Sequence, residues 1–97
     1  MPAVTRKNTD GTTGHEGFAP RPNTPNGSID VIINGQGVVR VTDAWPDHSN
    51  GSTTHSGNQS SGSTTVFANG LAVARIGDSI DDGDTVAAGS QNVICGG

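Results

Sequence analysis

The feature that most constrains this chain is an internal repeat with a fixed offset of 35 residues. Residues 27–43 read GSIDVIINGQGVVRVTD and residues 62–78 read GSTTVFANGLAVARIGD, and the two blocks align without a gap. Eight of the seventeen aligned positions are identical, which is well above chance even in a Gly-rich chain. Self-similarity of this kind is typical of architectures that pack copies of one supersecondary unit against each other.

Each block predicts a β-hairpin. A short run rich in β-branched residues leads into Asn34-Gly35 in the first block and Asn69-Gly70 in the second, and another apolar run follows. Asn and Gly tolerate the positive φ angles of a type I′ turn, so this pair between two apolar runs is a strong hairpin signal. The segments expected to form hairpins are IDVIINGQGVVRV and TTVFANGLAVARI.

A third copy begins at Gly89 and reads GSQNVICGG. When it is aligned on its Gly-Ser pair, Cys95 falls opposite Ile33 and Ala68 of the earlier copies. The last two glycines stand where Asn-Gly turns the earlier hairpins. The third copy is therefore expected to be one strand that stops at its turn, with Cys95 at the tip of that strand.

Together, the repeats at about residues 27–43, 62–78 and 89–97 predict one small all-β domain that spans residues 1–97 and has pseudo-three-fold symmetry. Almost no helix is expected, because the chain has a single Leu, Met, Glu and Lys among the strong helix formers. A generic β-sandwich with accidental Gly-Ser repetition is the alternative interpretation.

A core this small needs an additional source of stability. Only eighteen of the 97 residues are Leu, Ile, Val or Phe, and small domains with so little apolar material depend on disulfides, metals or assembly. The single cysteine excludes an internal disulfide. Metal binding or assembly with a partner remains.

The net charge and the apolar content of the chain indicate which partners and which location to expect. The net charge is −4, there are three aromatic residues, and no basic stripe is present, so a nucleic-acid ligand is not expected. The N-terminal MPAVTRKNTD has no apolar core of a signal peptide, and no run approaches the roughly 20 apolar residues of a membrane span. The expected place of synthesis is a reducing cytosol.

Three histidines lie between the repeat blocks, in the segments TTGHEGF, WPDHSNG and STTHSGN, which are interpreted as polar, Gly-rich connections. His15, His48 and His55 with Cys95 would make one tetrahedral donor set for Zn²⁺. The spacing matches no local zinc-finger pattern. The alternative is that the histidines are solvated loop residues and that Cys95 is a small buried hydrophobe.

These blocks of Gly-Ser, Asn-Gly, Arg and Asp, with interspersed histidines and a terminal Cys-Gly, resemble the PAAR-repeat proteins from about residue 11 to residue 97. The likeness is closest to the spike-tip proteins of T4-like contractile-tailed phages. The family is named for Pro-Ala-Ala-Arg, and the corresponding tetrapeptides here read GVVR at residues 37–40 and AVAR at residues 72–75. Both lack the proline, while the surrounding pattern is kept.

The resemblance implies a short cone of β-hairpins with one structural Zn²⁺ per chain near its apex. Such a zinc is held by three His and one Cys, and the residues carried over are His15, His48, His55 and Cys95. Structural zinc contributes directly to folding, by about 10 kcal/mol or more in small zinc domains. On this interpretation Cys95 pins the chain end into the tip.

The implied function is that of a non-enzymatic spike tip. Its blunt base would sit on the C-terminal tip of a trimeric β-helical spike, one copy per trimer, in a phage tail or a type VI secretion-like machine. The tip would contact the target cell envelope transiently while piercing it. The expected location is the tail baseplate of the virion, after assembly in the host cytoplasm. A monomer is expected when free, because eighteen large apolar residues barely supply one core.

Two enzymatic alternatives remain at this point. The first is a small zinc hydrolase with three histidine ligands, an open fourth position for water, and Glu16 as the base. The second is Cys95 as a nucleophile activated by a histidine. Ligation of the metal by Cys95 would argue against both, because it would close the site to water and mask the thiol.

Overall fold

The computed structural model describes residues 2–96. No helix occurs among them, so none is long and apolar enough to span a membrane. The strands form three separate antiparallel hairpins. They are β1 (Ile32–Ile33), β2 (Gln36–Gly37), β3 (Ala44–Ser49), β4 (Thr54–Asn58), β5 (Phe67–Ala68) and β6 (Leu71–Ala72). The prediction of an all-β fold made of short hairpins is confirmed.

The two Asn-Gly pairs turn the hairpins β1–β2 and β5–β6 as the sequence predicts. In the first turn φ is 52° at Asn34 and 83° at Gly35, and in the second it is 57° at Asn69 and 79° at Gly70. Positive φ at both central residues defines a type I′ turn, whose twist matches that of the flanking strands. Local sequence therefore determines these two hairpins.

The third unit is completed by the N-terminal segment, which the repeat alignment did not predict. Ala3 forms a β-bridge with Ile94. The N–H of Cys95 donates to the carbonyl oxygen of Pro2 (3.1 Å), and the N–H of Val4 donates to that of Val93 (3.0 Å). The segment at residues 93–95, which forms an isolated bridge rather than a regular strand, thus pairs with residues 2–4 of the same chain.

A closed ring of backbone hydrogen bonds joins the three units. The N–H of Thr5 donates to the carbonyl oxygen of Ala74 (3.0 Å), that of Ala74 to Val39 (2.8 Å), and that of Val39 back to Thr5 (3.0 Å). The three residues occupy equivalent positions, each directly before an arginine. This ring confirms the pseudo-three-fold arrangement.

A second ring of contacts lies at the hairpin turns. Ser90 Oγ donates to Asn34 Oδ1, Ser28 Oγ donates to Asn69 Oδ1 (2.7 Å), and Ser63 Oγ donates to the carbonyl oxygen of Gly96 (2.6 Å). In the third unit, the backbone carbonyl of Gly96 takes the place of the asparagine side chain. Each unit is therefore tied to the next by the same contact.

The apolar core has two clusters. The cluster among the hairpins, which we call the hairpin cluster, contains Val4, Val38, Ala68, Val73 and Cys95. The second, which we call the central cluster, contains Val39, Trp45, Ala74, Ile80 and Val86. Trp45 is the largest side chain in it and donates its indole N–H to Gln59 Oε1 (2.9 Å). The central cluster supports the segments that carry the histidines.

The hairpin β3–β4 extends from the central cluster and carries two of the histidines. Its register pairs Trp45 with Gly57 and His48 with His55, with a β-bulge between these pairs. The extra residue in β3 lets Trp45 and His48 face the same side although they are three positions apart. Both are buried. The polar, Gly-rich connection that carries His48 and His55 between the two repeats is therefore itself a hairpin.

Candidate metal centre

His48 and His55 lie directly opposite each other on β3 and β4. Side chains of a cross-strand pair project from the same face of the hairpin. The bulge in β3 places His48 on the same side as the buried Trp45, and His48 is itself buried. Two imidazoles are thereby held side by side, with 4.7 Å between their ring centroids.

His15 comes from a tight turn, HEGF, in the long segment before β1. The N–H of Phe18 donates to the carbonyl oxygen of His15 (2.6 Å), and the reverse bond is 3.2 Å long. Glu16 and Gly17 have φ angles of 45° and 83°, so this is another turn of the type I′ class. The turn brings His15 to the other two imidazoles, with centroid distances of 5.0 Å to His48 and 5.2 Å to His55.

A carboxylate, Asp82, completes the group. The segment that carries it is anchored by the buried Ile80, and the N–H of Asp81 donates to the carbonyl oxygen of Asn58 in β4 (3.0 Å). Close approach of this segment depends on Gly57, where a Cβ would lie 2.7 Å from Ile80 Cγ2 and 2.9 Å from Asp82 Cγ. The glycine thus allows Asp82 to reach the histidines.

The four side chains converge on one point. The Nε2 atoms are 3.2 Å apart for His15 and His48, 2.7 Å apart for His48 and His55, and 3.3 Å apart for His15 and His55. Asp82 Oδ2 lies 3.3 Å from Nε2 of His55 and 3.5 Å from that of His48. Donors about 2.0–2.1 Å from a tetrahedral Zn²⁺ lie roughly 3.3 Å from each other. The donor types and their spacing therefore fit one tetrahedral metal ion.

A hydrogen bond of His48 fixes the ring proton on Nδ1, which leaves Nε2 available to bind a metal. Nδ1 of His48 lies 2.9 Å from the carbonyl oxygen of Ala19. A carbonyl only accepts, so Nδ1 carries the proton, and Nε2 of the neutral ring presents its lone pair to His15 and His55. A hydrogen bond from the other ring nitrogen is the usual companion of metal-binding histidines.

Arg21 holds the carboxylate in place from behind. Its guanidinium donates to Asp82 Oδ2 (2.5 Å) and to Asp84 Oδ2 (2.9 Å), and its Nε donates to the carbonyl oxygen of Pro46 (2.6 Å). The Arg21 side chain is 1% exposed. Burial raises the pKa of the Asp82 carboxyl, but the hydrogen bond and the charge of Arg21 outweigh it and hold that pKa below its usual value. Asp82 is therefore ionised, as a metal ligand must be.

The structure brings His15, His48 and His55 together but does not bring Cys95 to them. Cys95 is buried in the hairpin cluster, while the described group of potential ligands consists of the three histidines and Asp82. The assignment of Cys95 as the fourth donor stays a prediction, and in this structure Asp82 lies beside the three histidines instead. The reason is the alternation of the strand, which turns Cys95 toward the apolar axis like Ala68, its counterpart in the second repeat.

Sequence reasoning missed Asp82 and Arg21, although Asp82 had a signal. An Arg–Asp ion pair recurs once in each unit, ending at Asp10, Asp43 and Asp78. His15 and His48 lie five residues after the first two of these aspartates, and Asp82 lies four residues after the third. The spacing marks Asp82 as the donor that follows the second repeat, in the place that His48 takes after the first repeat. Arg21 had no comparable signal, because its partners are remote in sequence.

Comparison with curated proteins finds no match for this chain. The sequence pattern that defines the PAAR motif matches residues 24–88. That region contains both complete repeats together with His48, His55 and Asp82. Because the match covers more than half of the chain, and because its repeats form the closed three-unit fold described above, this protein belongs to the PAAR motif family.

Proposed function

We propose that this protein is the metal-stabilised tip of a trimeric β-helical spike in a contractile injection machine, where it sharpens the spike for piercing a cell envelope. Membership of the PAAR motif family supports the general role as a spike tip of tail or secretion machinery. The closer resemblance to the tip proteins of T4-like phages favours a tail baseplate of a virion over a type VI secretion-like apparatus.

The observation that carries the proposal is a three-fold set of exposed apolar side chains. Ile32, Phe67 and Ile94 occupy equivalent positions in the three units. Their exposed fractions are nearly equal, at 51%, 58% and 54%. Strand alternation explains this, since the next residue of each unit points inward to the hairpin cluster. We call Ile32, Phe67 and Ile94 the apolar triad.

The apolar triad supports docking on a partner with true three-fold symmetry. One chain with three equivalent contact points can meet the three subunits of a trimer in the same way, so one copy per trimer satisfies every contact. Exposed apolar side chains in a repeated pattern mark interaction surfaces more often than isolated ones do. The chain is a monomer in the free state under this proposal, because one chain already supplies the three equivalent contact points that a homotrimer would otherwise provide.

The metal contributes rigidity rather than chemistry. We propose one Zn²⁺ per chain, held by His15, His48, His55 and Asp82, because three imidazole nitrogens and one carboxylate oxygen suit this ion. These ligands come from three chain segments, namely the HEGF turn, the hairpin β3–β4 and the segment that carries Asp82. Binding free energy at such a site becomes folding free energy. The function requires a stiff point, which the small core alone does not provide.

The hydrolase alternative has weaker support. With Asp82 as fourth donor, the tetrahedral set leaves no open position for water. Glu16, the candidate base, is exposed at the centre of the HEGF turn. A nucleophilic role for Cys95 is also disfavoured, because this thiol packs among apolar side chains of the hairpin cluster. The proposal is therefore a structural protein without turnover.

Native mass spectrometry with the C-terminal part of the cognate trimeric spike tests the docking proposal. We expect one copy of this chain per three spike chains. Replacing the apolar triad with glutamates should abolish the complex while the free protein still folds. Ile29→Glu is the matched control, since Ile29 is 88% exposed but does not belong to the triad. A three-to-three complex, or unchanged binding of the triad variant, would contradict the proposal.

A further inference from the structure

Phe18, the last residue of the HEGF turn, lies against all three histidine rings. Its ring centroid is 4.0 Å from that of His55, 4.9 Å from that of His48 and 5.0 Å from that of His15. The interplanar angles are 13°, 30° and 19°, and all three pairs are stacked. Aromatic rings at such distances attract one another beyond the burial of their area. One phenyl ring thus contacts every imidazole of the candidate metal centre.

The turn fixes this arrangement in the backbone. His15 and Phe18 exchange both backbone hydrogen bonds across the two-residue turn. Residues directly opposite each other in such a pair project their side chains to the same side. The backbone of Phe18 is therefore fixed relative to that of His15, and its side chain is partly buried rather than free in solvent.

The converging imidazoles need something to hold them. Three Nε2 atoms lie within 3.3 Å of one another, and all three rings must keep their planes for these nitrogens to face one metal ion. His48 is restrained by its bond to the carbonyl oxygen of Ala19. For His15 and His55, the neighbours are the rings described above and the Asp82 carboxylate, which lies 3.9 Å from Nε2 of His15 and 3.3 Å from that of His55. Of these contacts, only those with Phe18 come from a group that cannot itself bind a metal.

We propose that Phe18 is a positioning residue for the metal centre, which fixes the planes of the three imidazoles and covers their faces against water. This inference rests on the proposed metal site. An aromatic platform reduces the freedom that the ligands lose on binding and blocks the rotation by which a histidine would leave the metal. Loss of groups that orient metal ligands commonly lowers affinity by 10–100-fold.

The test measures how fast the full chain releases Co²⁺ to an excess of chelator. The visible absorption of the bound ion monitors this release. Phe18→Leu keeps an apolar side chain but removes the ring, and we expect release to be about tenfold faster or more. Phe18→Tyr keeps the ring and should release Co²⁺ at nearly the original rate. Phe67→Leu is the matched control, because Phe67 is the only other phenylalanine and belongs to the apolar triad.

Two further readouts separate positioning from general stability. The metal-free forms are compared by histidine ring signals in NMR, which should shift in Phe18→Leu and remain unchanged in Phe67→Leu. The Co²⁺ stoichiometry should stay at one per chain in every variant. Equal release rates for the original chain and Phe18→Leu would overturn the role of Phe18 while leaving the metal site intact. Failure of the original chain to bind Co²⁺ or Zn²⁺ would overturn both.

Discussion

At the scale of single residues, Asp82 connects the candidate metal centre to the rest of the fold. Its Oδ1 accepts the N–H of Asp84 (3.0 Å), and its Oδ2 accepts the guanidinium of Arg21 while facing His48 and His55. A carboxylate with both oxygens occupied by donors has a fixed orientation. The residue thus resembles the oriented ligands of structural metal sites more than a free surface acid.

The first prediction distinguishes Asp82 from Cys95 as the fourth ligand. Asp82→Asn keeps the size of the side chain and removes its charge, so we expect metal affinity to fall by at least about tenfold. Cys95→Ala should keep one metal ion per chain, because the thiol lies in the hairpin cluster. Competition titration with a chromophoric chelator measures both affinities.

Asp81→Asn provides the control for this comparison. Asp81 is the adjacent carboxylate and is exposed, so its loss should leave metal affinity unchanged. Loss of the metal from Cys95→Ala, with retention in Asp82→Asn, would show that the fourth ligand is the cysteine after all.

The second prediction concerns the carboxyl of Asp30. Hydrogen bonds from the side chains of Asn69 (2.7 Å) and Ser28 (3.0 Å) hold its pKa below the usual value. The folded-state pKa therefore lies below the unfolded one, so the contribution to stability is present above the unfolded value, about 3.9, and is lost as the pH falls through the folded value.

Asn69→Ala should raise the pKa of Asp30 toward its usual value, because Asn69 is the strongest of the contacts that lower it. Titration of the Asp30 carboxyl carbon by NMR measures the change. Asn34→Ala is the control, since Asn34 has the equivalent position in the first turn but contacts Ser90 and Asn92 instead. An unchanged Asp30 titration in Asn69→Ala would show that this contact is absent in solution.

At the scale of the elements, two positions of the first hairpin require glycine for different physical reasons. Gly35 lies in the turn at a φ of 83°, and a Cβ there would meet nothing within 4 Å. Gly37 lies in β2, where a Cβ would be placed against the carbonyl oxygen of Ser28. The first position needs conformational freedom, while the second needs space for the neighbouring segment.

The third prediction follows from this difference. Gly35→Ala should destabilise the protein by about 1 kcal/mol, which is the cost of a left-handed conformation for a residue with a Cβ. Gly37→Ala should cost about 3 kcal/mol or more, because backbone must move to admit the methyl group. Denaturant unfolding of the metal-bound forms measures both free energies. Equal losses in the two variants would contradict the packing of Ser28 over β2.

The hairpin β3–β4 is the element in which local signals are weakest. Its strands contain Pro46, several polar residues and two histidines, and no alternation of apolar and polar residues marks them. The bulge accommodates Pro46, whose carbonyl oxygen accepts from Arg21. Packing of Trp45 in the central cluster, rather than strand propensity, orients this hairpin.

At the scale of the whole molecule, the fold is a ring whose closure joins the two ends of the chain. Val4, Val38 and Val73 are equivalent members of the hairpin cluster, with exposed fractions of 2%, 0% and 3%. Their units are connected by the ring of backbone hydrogen bonds through Thr5, Val39 and Ala74. The N-terminal segment is therefore as much a part of the core as the two complete repeats.

The fourth prediction tests this equivalence. Val4→Ala, Val38→Ala and Val73→Ala should each lower the free energy of unfolding by about 2 kcal/mol, from lost apolar burial and the cavity left behind. Thermal and denaturant unfolding measure the three losses. Val31→Ala is a suitable control, because Val31 is 37% exposed. Ala3→Gly would not serve as a control, because it alters the backbone. A negligible effect of Val4→Ala alone would mean that the ring is open at the N-terminus.

The sequence by itself determined the parts of the fold that depend on neighbouring residues. The two Asn-Gly turns, their hairpins and the near absence of helix formers follow from φ preferences and side-chain shape. The repeat alignment also placed Cys95 opposite Ile33 and Ala68. In the structure, Cys95 and Ala68 belong to the hairpin cluster and Ile33 packs against it. The expectation of a metal at the three histidines fits the structure because these side chains do converge.

Only the tertiary structure decided the features that depend on segments far apart in the chain. Asp82 reaches His15 and Arg21 because ring closure and the glycine at position 57 bring their segments together. The N-terminal strand pairs with Ile94 for the same reason. Such contacts lack a local signature, since the free energy that selects them comes from closing the core as a whole. The path of the chain, rather than the scarcity of cysteine, therefore decides which side chain lies beside the three histidines.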